Sequence, residues 1–240
     1  MENTIPTRAK FSSIVASLRF NWPICYSLLF LFSACTPDQQ FQIAAGSIKK
    51  NWQKTAYATK EWPELLSVEE LNDVNQVINK SLNTLNSFQG KSLAIKLRKD
   101  EAALRNALTE ARNTLERLQK DPSFYDFSTR LKAKLTQADG AMDQKLQTIA
   151  PLLPIAEAYY RQAKLNLHPS DPTLCSAAVE RHIQGVAFLD QNLAQAIATV
   201  DWPNQAKTDF QKNLFQTKLA LKDYLAWCRS QAFELRKRSQ

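Results

Sequence analysis

Two apolar stripes flanking Asp201-Trp202-Pro203 constrain the fold of this chain more than any other feature, because they match one another as an antiparallel helical hairpin. Before the break, Leu174, Ala178, His182, Val186, Leu189, Leu193 and Ile197 recur at three- and four-residue steps. After it, Ala206, Phe210, Leu214, Thr217, Leu221, Leu225 and Cys228 do the same. Asp171-Pro172 supplies an N-cap and a first-turn proline for the first of the two helices. A tight turn centred between Asp201 and Trp202 places opposite one another residues whose numbers add to 403. That register faces Ala178 with Leu225, Leu189 with Leu214, Leu193 with Phe210, and Cys175 with Cys228, so apolar side chains and thiols agree on one alignment.

The remaining patterns are helical too. Ser67-Val68-Glu69-Glu70 has the form of a capping box, and Val68, Leu71, Val74, Ile78, Leu82, Leu85 and Phe88 form one face running to Gly90, a natural C-terminal stop. Leu97, Leu104, Leu108, Ala111, Leu115 and Leu118 keep a four-then-three rhythm from Ser92 to Gln119, where Asp121-Pro122 ends it. Shorter helices are expected from Phe124 to Gln137 and from Ala141 onward, with Pro151 and Pro154 interrupting the chain. Only four glycines in 240 residues leave little turn chemistry for a sheet. The expectation is an all-α fold, a bundle of long antiparallel helices and helical hairpins, compact or elongated, over residues 67–240.

The N-terminal part has a different character. Arg8, Lys10 and Arg19 precede an almost wholly apolar run from Ile24 to Phe32, the order of charge then hydrocarbon found in a secretory signal. The stretch from Phe20 to Ala34 has 15 residues interrupted by Asn21 and Pro23, too few to cross a bilayer, which takes about 20. It has no polar face to suit a surface helix of a soluble core. Leu31-Phe32-Ser33-Ala34-Cys35 resembles a lipobox, with small residues before the cut, although Phe32 stands where leucine is usual and the leader is long. The expectation is a signal peptide over residues 1–34 and a fatty-acylated Cys35, with a plain signal peptide as the alternative. Residues 35–66 then form the lipidated N-terminus and a tether or short helix.

Cleavage there leaves 206 residues, enough for a respectable core, and a formal charge of +6 in place of +8. Thr36, not aspartate, follows Cys35; in a diderm bacterium this resembles the sorting pattern of an outer-membrane lipoprotein facing the periplasm. A positive charge in the envelope suggests attraction to anionic headgroups, or no more than a solubilising surface. Cys25 leaves with the leader and Cys35 carries lipid, so Cys175 and Cys228 are the remaining thiols. Outside the cytoplasm two thiols in register suggest a disulfide closing a loop of about 54 residues, worth about 4 kcal/mol in the chain-entropy model. Unpaired, they would pack as small apolar groups.

Catalytic constellations are hard to assemble from what is left. His182 lies on an inward stripe opposite Leu221, and His168 sits at a helix exit in Leu167-His168-Pro169-Ser170. A cysteine nucleophile would lose its thiol to the bridge. There is no Gly-x-Ser-x-Gly elbow, phosphate loop or dinucleotide fingerprint. Glu69-Glu70 and Asp100-Glu101 are adjacent pairs whose side chains diverge around a helix. No catalytic residue, metal ligand or cofactor is therefore assigned. Tyr159-Tyr160-Arg161 and the set Trp52, Tyr57 and Trp62 combine aromatic area with polar tips, as recognition surfaces and ordinary cores both do. Arg236-Lys237-Arg238 suits anionic headgroups or the dipole of the helix it ends.

Several short segments share the order of a known family. They are Asp121-Pro122-Ser123-Phe124-Tyr125-Asp126, Leu146 through Pro154, Ala163-Lys164-Leu165-Asn166-Leu167, Gly185 through Leu189, and Lys222 through Trp227. From Asp121 to Trp227 the chain resembles the N-terminal helical part of a large bacterial family described as zinc peptidases, often lipoproteins and known mainly as a domain of unknown function. In that family the catalytic motif, similar to His-Glu-Ala-x-Pro-Gly-His-His, follows the helical region. Here His168 and His182 stand 14 residues apart and neither precedes a glutamate, so the resemblance implies a shared scaffold without the zinc site.

The functional expectation is a membrane-anchored bacterial lipoprotein with a non-catalytic helical binding or scaffold domain. Its partners would be membrane lipid, through acylated Cys35, and an envelope protein or peptide. Nucleic acid is not expected, for want of a continuous basic face with interleaved aromatics. The alternative is a truncated or split relative of the peptidase family that keeps a peptide-binding scaffold.

Overall fold

The computed structural model describes residues 36–60 and 62–239, and the leader and Cys35 lie outside them. Among the described residues the secondary structure is helical throughout, without a strand, so the fold is all-α. The chain divides into two compact units. Of the described residues, one comprises those up to Pro63 together with Glu69–Leu115, and the other Glu64–Val68 with those from Glu116 on.

In the first unit, the segment expected as a tether or short helix is α1, Pro37–Gln53. Its start is set by a reciprocal cap: the Thr36 hydroxyl accepts from the Gln39 N–H, and the Gln39 side chain accepts from the Thr36 N–H. Phe41, Ile48 and Trp52 give it a buried face. A short helix, α2 (Ala56–Thr59), follows, then α3 (Val68–Asn86) and α4 (Ile95–Lys120), which passes into the second unit at Glu116. Leu71, Val74, Ile78 and Leu85 of α3 and Leu97 and Leu108 of α4 are buried at helical spacing. Phe41 meets Phe88 edge-on at 5.5 Å, and the Asp38 carboxylate accepts from the Ala94 N–H at 3.0 Å. Between α3 and α4 the chain turns through Gly90, whose φ of +79° suits glycine best.

The second unit holds α5 (Phe127–Gln137), α6 (Met142–Ile149), α7 (Ala156–Asn166), α8 (Pro172–Ala187), α9 (Ala194–Thr199) and α10 (Asn204–Arg238). Short 3₁₀ turns fill Pro122–Phe124 and Leu153–Ile155, where the prolines interrupt the chain as the sequence suggests. Asp121, Asp126 and Asp171 each cap the turn that follows through a side-chain oxygen. The long helix α10 packs along α8 and α7. Its stripe of Phe210, Leu214, Thr217, Leu221, Leu225 and Cys228 is buried, as the hairpin pattern requires.

The first arm of that hairpin is not one straight α-helix. Phe188–Leu193 is π-helical, between α8 and α9. A π turn winds more residues than an α turn, so the side chains beyond Phe188 are rotated away from the faces a regular helix would give them. Leu189, Leu193 and Ile197 remain buried nonetheless.

Candidate functional site

The residues with chemical potential gather in the core of the second unit, around the carbonyl of Pro122. Tyr224 donates its hydroxyl to that oxygen at 2.9 Å, and His182 Nε2 lies 3.5 Å from it. The His182 ring is edge-on to Tyr224 at 5.1 Å and to Tyr160 at 6.3 Å, and Tyr160 stacks on Tyr224 at 4.8 Å. Tyr159, Tyr125 and Phe127 continue the cluster through ring contacts of 5.3 to 5.9 Å. His182 is 0% exposed and burial holds its pKa below the usual histidine value, so the ring is neutral at physiological pH. Burial likewise pushes the hydroxyls of Tyr160 and Tyr224 well above the ordinary tyrosine range.

Polar groups at the edge of this cluster tie distant parts of the unit together. Tyr125 donates to the Leu118 carbonyl at 2.9 Å, and the Asn166 amide donates to the Leu66 carbonyl at 2.8 Å and to the Tyr125 hydroxyl at 3.3 Å. Glu64, only 1% exposed, forms an ion pair with Arg130. The Asp126 carboxylate accepts from Ser128, from the Thr129 hydroxyl and from the Thr129 N–H. All of these contacts hold chain to chain.

Cys175 and Cys228 are both free thiols and both fully buried. Burial pushes Cys175 up to about 11 and Cys228 up to about 12, and the nearness of Cys175 adds to the second shift. Such thiols are protonated at neutral pH and poor nucleophiles. The two are not bridged in the structure, and each sits on the buried side of its helix in the α8–α10 hairpin.

The other sequence candidates are distributed as follows. His168 is exposed at the exit of α7, and its N–H donates to the Gln119 carbonyl at 2.7 Å. Tyr159 and Tyr160, read as surface or core from sequence, are core, as are Trp52 and Trp62; Tyr57 is half-buried against Trp52 at 5.5 Å. The four buried rings offer no recognition surface. The Asp121–Asp126 segment, picked out by resemblance, proves to be the hub of the buried network. Sequence reasoning missed that Pro122 would be its central acceptor, because a backbone carbonyl leaves no mark on side-chain pattern.

Among the described residues, no group of three or more His, Cys, Asp or Glu side chains is arranged to hold a metal ion. No described helix is long and apolar enough to cross a membrane.

No protein-family model and no curated protein matches the chain. A solved structure does: one from Shewanella oneidensis, described as "a putative lipoprotein of unknown function", superposes with a TM-score of 0.56 at 18% identity. The match covers 85% of this chain and 39% of the other, so this chain spans well under half the length of that relative. At such identity the likeness is one of fold.

Proposed function

We propose that this protein is a lipoprotein of the bacterial envelope, acylated at Cys35, whose helical body binds or supports another envelope component without catalysing a reaction. The address rests on the basic leader, the apolar run and Leu31-Phe32-Ser33-Ala34-Cys35. Its fold likeness to a chain described as "a putative lipoprotein of unknown function" is consistent with that reading. The non-catalytic part is carried by one observation: His182, Cys175 and Cys228 are walled into the core, and burial holds each in its neutral form. A general base or nucleophile must reach a reacting atom, and these side chains reach only each other's neighbours. In an oxidising compartment the two thiols join as Cys175–Cys228 while the chain folds, before the core closes over them, giving up two protons and two electrons to the disulfide of an oxidoreductase.

The second reading is a truncated or split relative of the peptidase-like family that keeps a peptide-binding scaffold, and it rests on the resemblance of the segments between Asp121 and Trp227. In that case the helical body presents peptide to a separate catalytic chain. Cell fractionation of Cys35→Ser against the native protein tests the address: the native chain sediments with membranes and the variant is released. Crosslinking in intact envelopes then identifies the partner, and recovery of a chain bearing the missing His-Glu motif would select the second reading.

A further inference from the structure

The long helix α10 buries one face against α8 and α7 and leaves the opposite face open. Along that open face stand Phe215, Leu219 and Phe233, which are 51%, 43% and 66% exposed. At 3.6 residues per turn, positions 215, 219, 222, 226 and 233 fall within about 60° of the helix circumference. Phe215, Leu219, Ala226 and Phe233 therefore form an apolar stripe about 27 Å long, broken by Lys222 within it and by the turn between Ala226 and Phe233, where Arg229 and Ser230 flank the face. Large aromatic side chains in a row on a free helix face are unusual for a soluble surface.

The charges beside the stripe are one-sided. Lys212, Lys222, Arg229, Lys237 and Arg236 are exposed within or next to it; Lys218, over the Phe215 ring at 5.6 Å, is already paired with Asp190 at 2.6 Å and adds no free charge. The acids of the same helix are fewer, Asp209, Asp223 and Glu234, and they lie off the stripe on its other flank, where Asp223 is already paired with Lys164. An apolar strip bordered by long cationic side chains matches a surface that is anionic outside and hydrocarbon beneath.

We propose that the outer face of α10 docks on the anionic surface of a lipid bilayer, with Phe215, Leu219 and Phe233 entering the headgroup boundary and Lys222, Arg229 and Lys237 meeting phosphates. This rests on the envelope reading above for its location. Electrostatic attraction brings the face to the surface, and burial of the aromatic rings holds it there. Neither step needs the acyl chain, so the face and the anchor are separable.

The test uses the full chain carrying Cys25→Ser and Cys35→Ser, which removes the acylation site and leaves only the buried thiols. A nitroxide is placed on Phe215→Cys, Leu219→Cys or Phe233→Cys, with Glu110→Cys as an exposed control, and its collisions with lipid-dissolved oxygen are measured. On phosphatidylglycerol vesicles the three face labels become lipid-accessible while the control stays aqueous; on phosphatidylcholine vesicles all four stay aqueous. Lys222→Glu with Arg229→Glu weakens the partition about tenfold or more, since each cation near such a surface contributes on the order of 1 kcal/mol. Because the leader is common to every variant, the comparison is between label positions. Face labels as water-accessible on phosphatidylglycerol as the control would overturn the proposal. So would labels that become buried without lipid as protein concentration rises, which would give the face to a second copy. The native N-terminal mass is a separate measurement, so loss of the acylation reading and loss of this one are distinguishable.

Discussion

His182 illustrates how a titratable side chain can serve the core and still tie stability to pH. Its Nε2 faces the Pro122 carbonyl, and its Nδ1 has no hydrogen-bond partner among the described residues. Burial lowers its pKa, while Asp126 and Asp121 raise it less and Arg181 lowers it; Tyr160 and Tyr224 complete its surroundings and stay neutral. The unfolded chain therefore binds a proton near pH 6.5 that the folded chain refuses, so stability is full above that pH and falls as pH drops below it. The slope reaches at most about 1.4 kcal/mol per pH unit until the folded pKa is passed. Denaturant titrations between pH 7.5 and 5 should show this acid loss in the native protein and a flatter profile in His182→Phe. Glu64 gives a second residue-scale outcome: Arg130→Ala leaves a buried carboxylate without its cation and should cost about 3–5 kcal/mol, whereas Glu64→Gln should cost less. The inward position of His182 was legible from its place in a seven-member stripe. The Glu64–Arg130 pair was not, because 66 residues separate partners that only the packed unit brings together.

At the scale of elements, the cap that opens α8 was readable because it is local chemistry. Asp171-Pro172 starts α8 with its side chain accepting from the Thr173 N–H, as the dipeptide suggests. The π-helical stretch Phe188–Leu193 was not readable: it depends on how α8 and α9 settle against α10, and its composition is that of an ordinary helix. Gly185 marks a close helix approach. A Cβ built there would lie 2.5 Å from the Ser128 hydroxyl oxygen and 3.1 Å from its Cβ, so α5 and α8 pack with no room for a methyl group. Gly185→Ala should lose about 1–3 kcal/mol in chemical denaturation, and Ser128→Ala in the same chain should return part of it by removing the nearest atom. The α8–α10 hairpin carries the redox expectation. Non-reducing peptide mapping of exported protein should recover Cys175 linked to Cys228, and reduction should lower stability by about 4 kcal/mol. Recovery of both thiols free after export would remove the bridge and leave the hairpin's apolar packing as its hold.

For the whole molecule, the all-α class was legible because scarce glycine and three-and-four spacing act along the entire chain. The division into two units was not, because it falls between Leu115 and Glu116 inside one continuous helix and leaves no linker composition to read. The start of the described structure bears on how the body is held. Helix α1 begins at Pro37, so only Thr36 separates the acylation candidate from helical chain. An extended residue spans at most about 3.6 Å, and each helical residue rises about 1.5 Å, which keeps Ile43 within about 16 Å of Cys35. Ile43 is among the most exposed apolar residues of the first unit. If Cys35 carries the fatty chain, a fluorophore on Ile43→Cys in the acylated protein should be quenched by headgroup-attached quenchers in reconstituted vesicles. A flexible insert of twenty glycine and serine residues between Cys35 and Thr36 should abolish most of that quenching while leaving the protein on the membrane. Equal quenching with and without the insert would mean that α1 meets the bilayer by its own surface, and an unquenched probe in the native spacing would place the anchor elsewhere than Cys35.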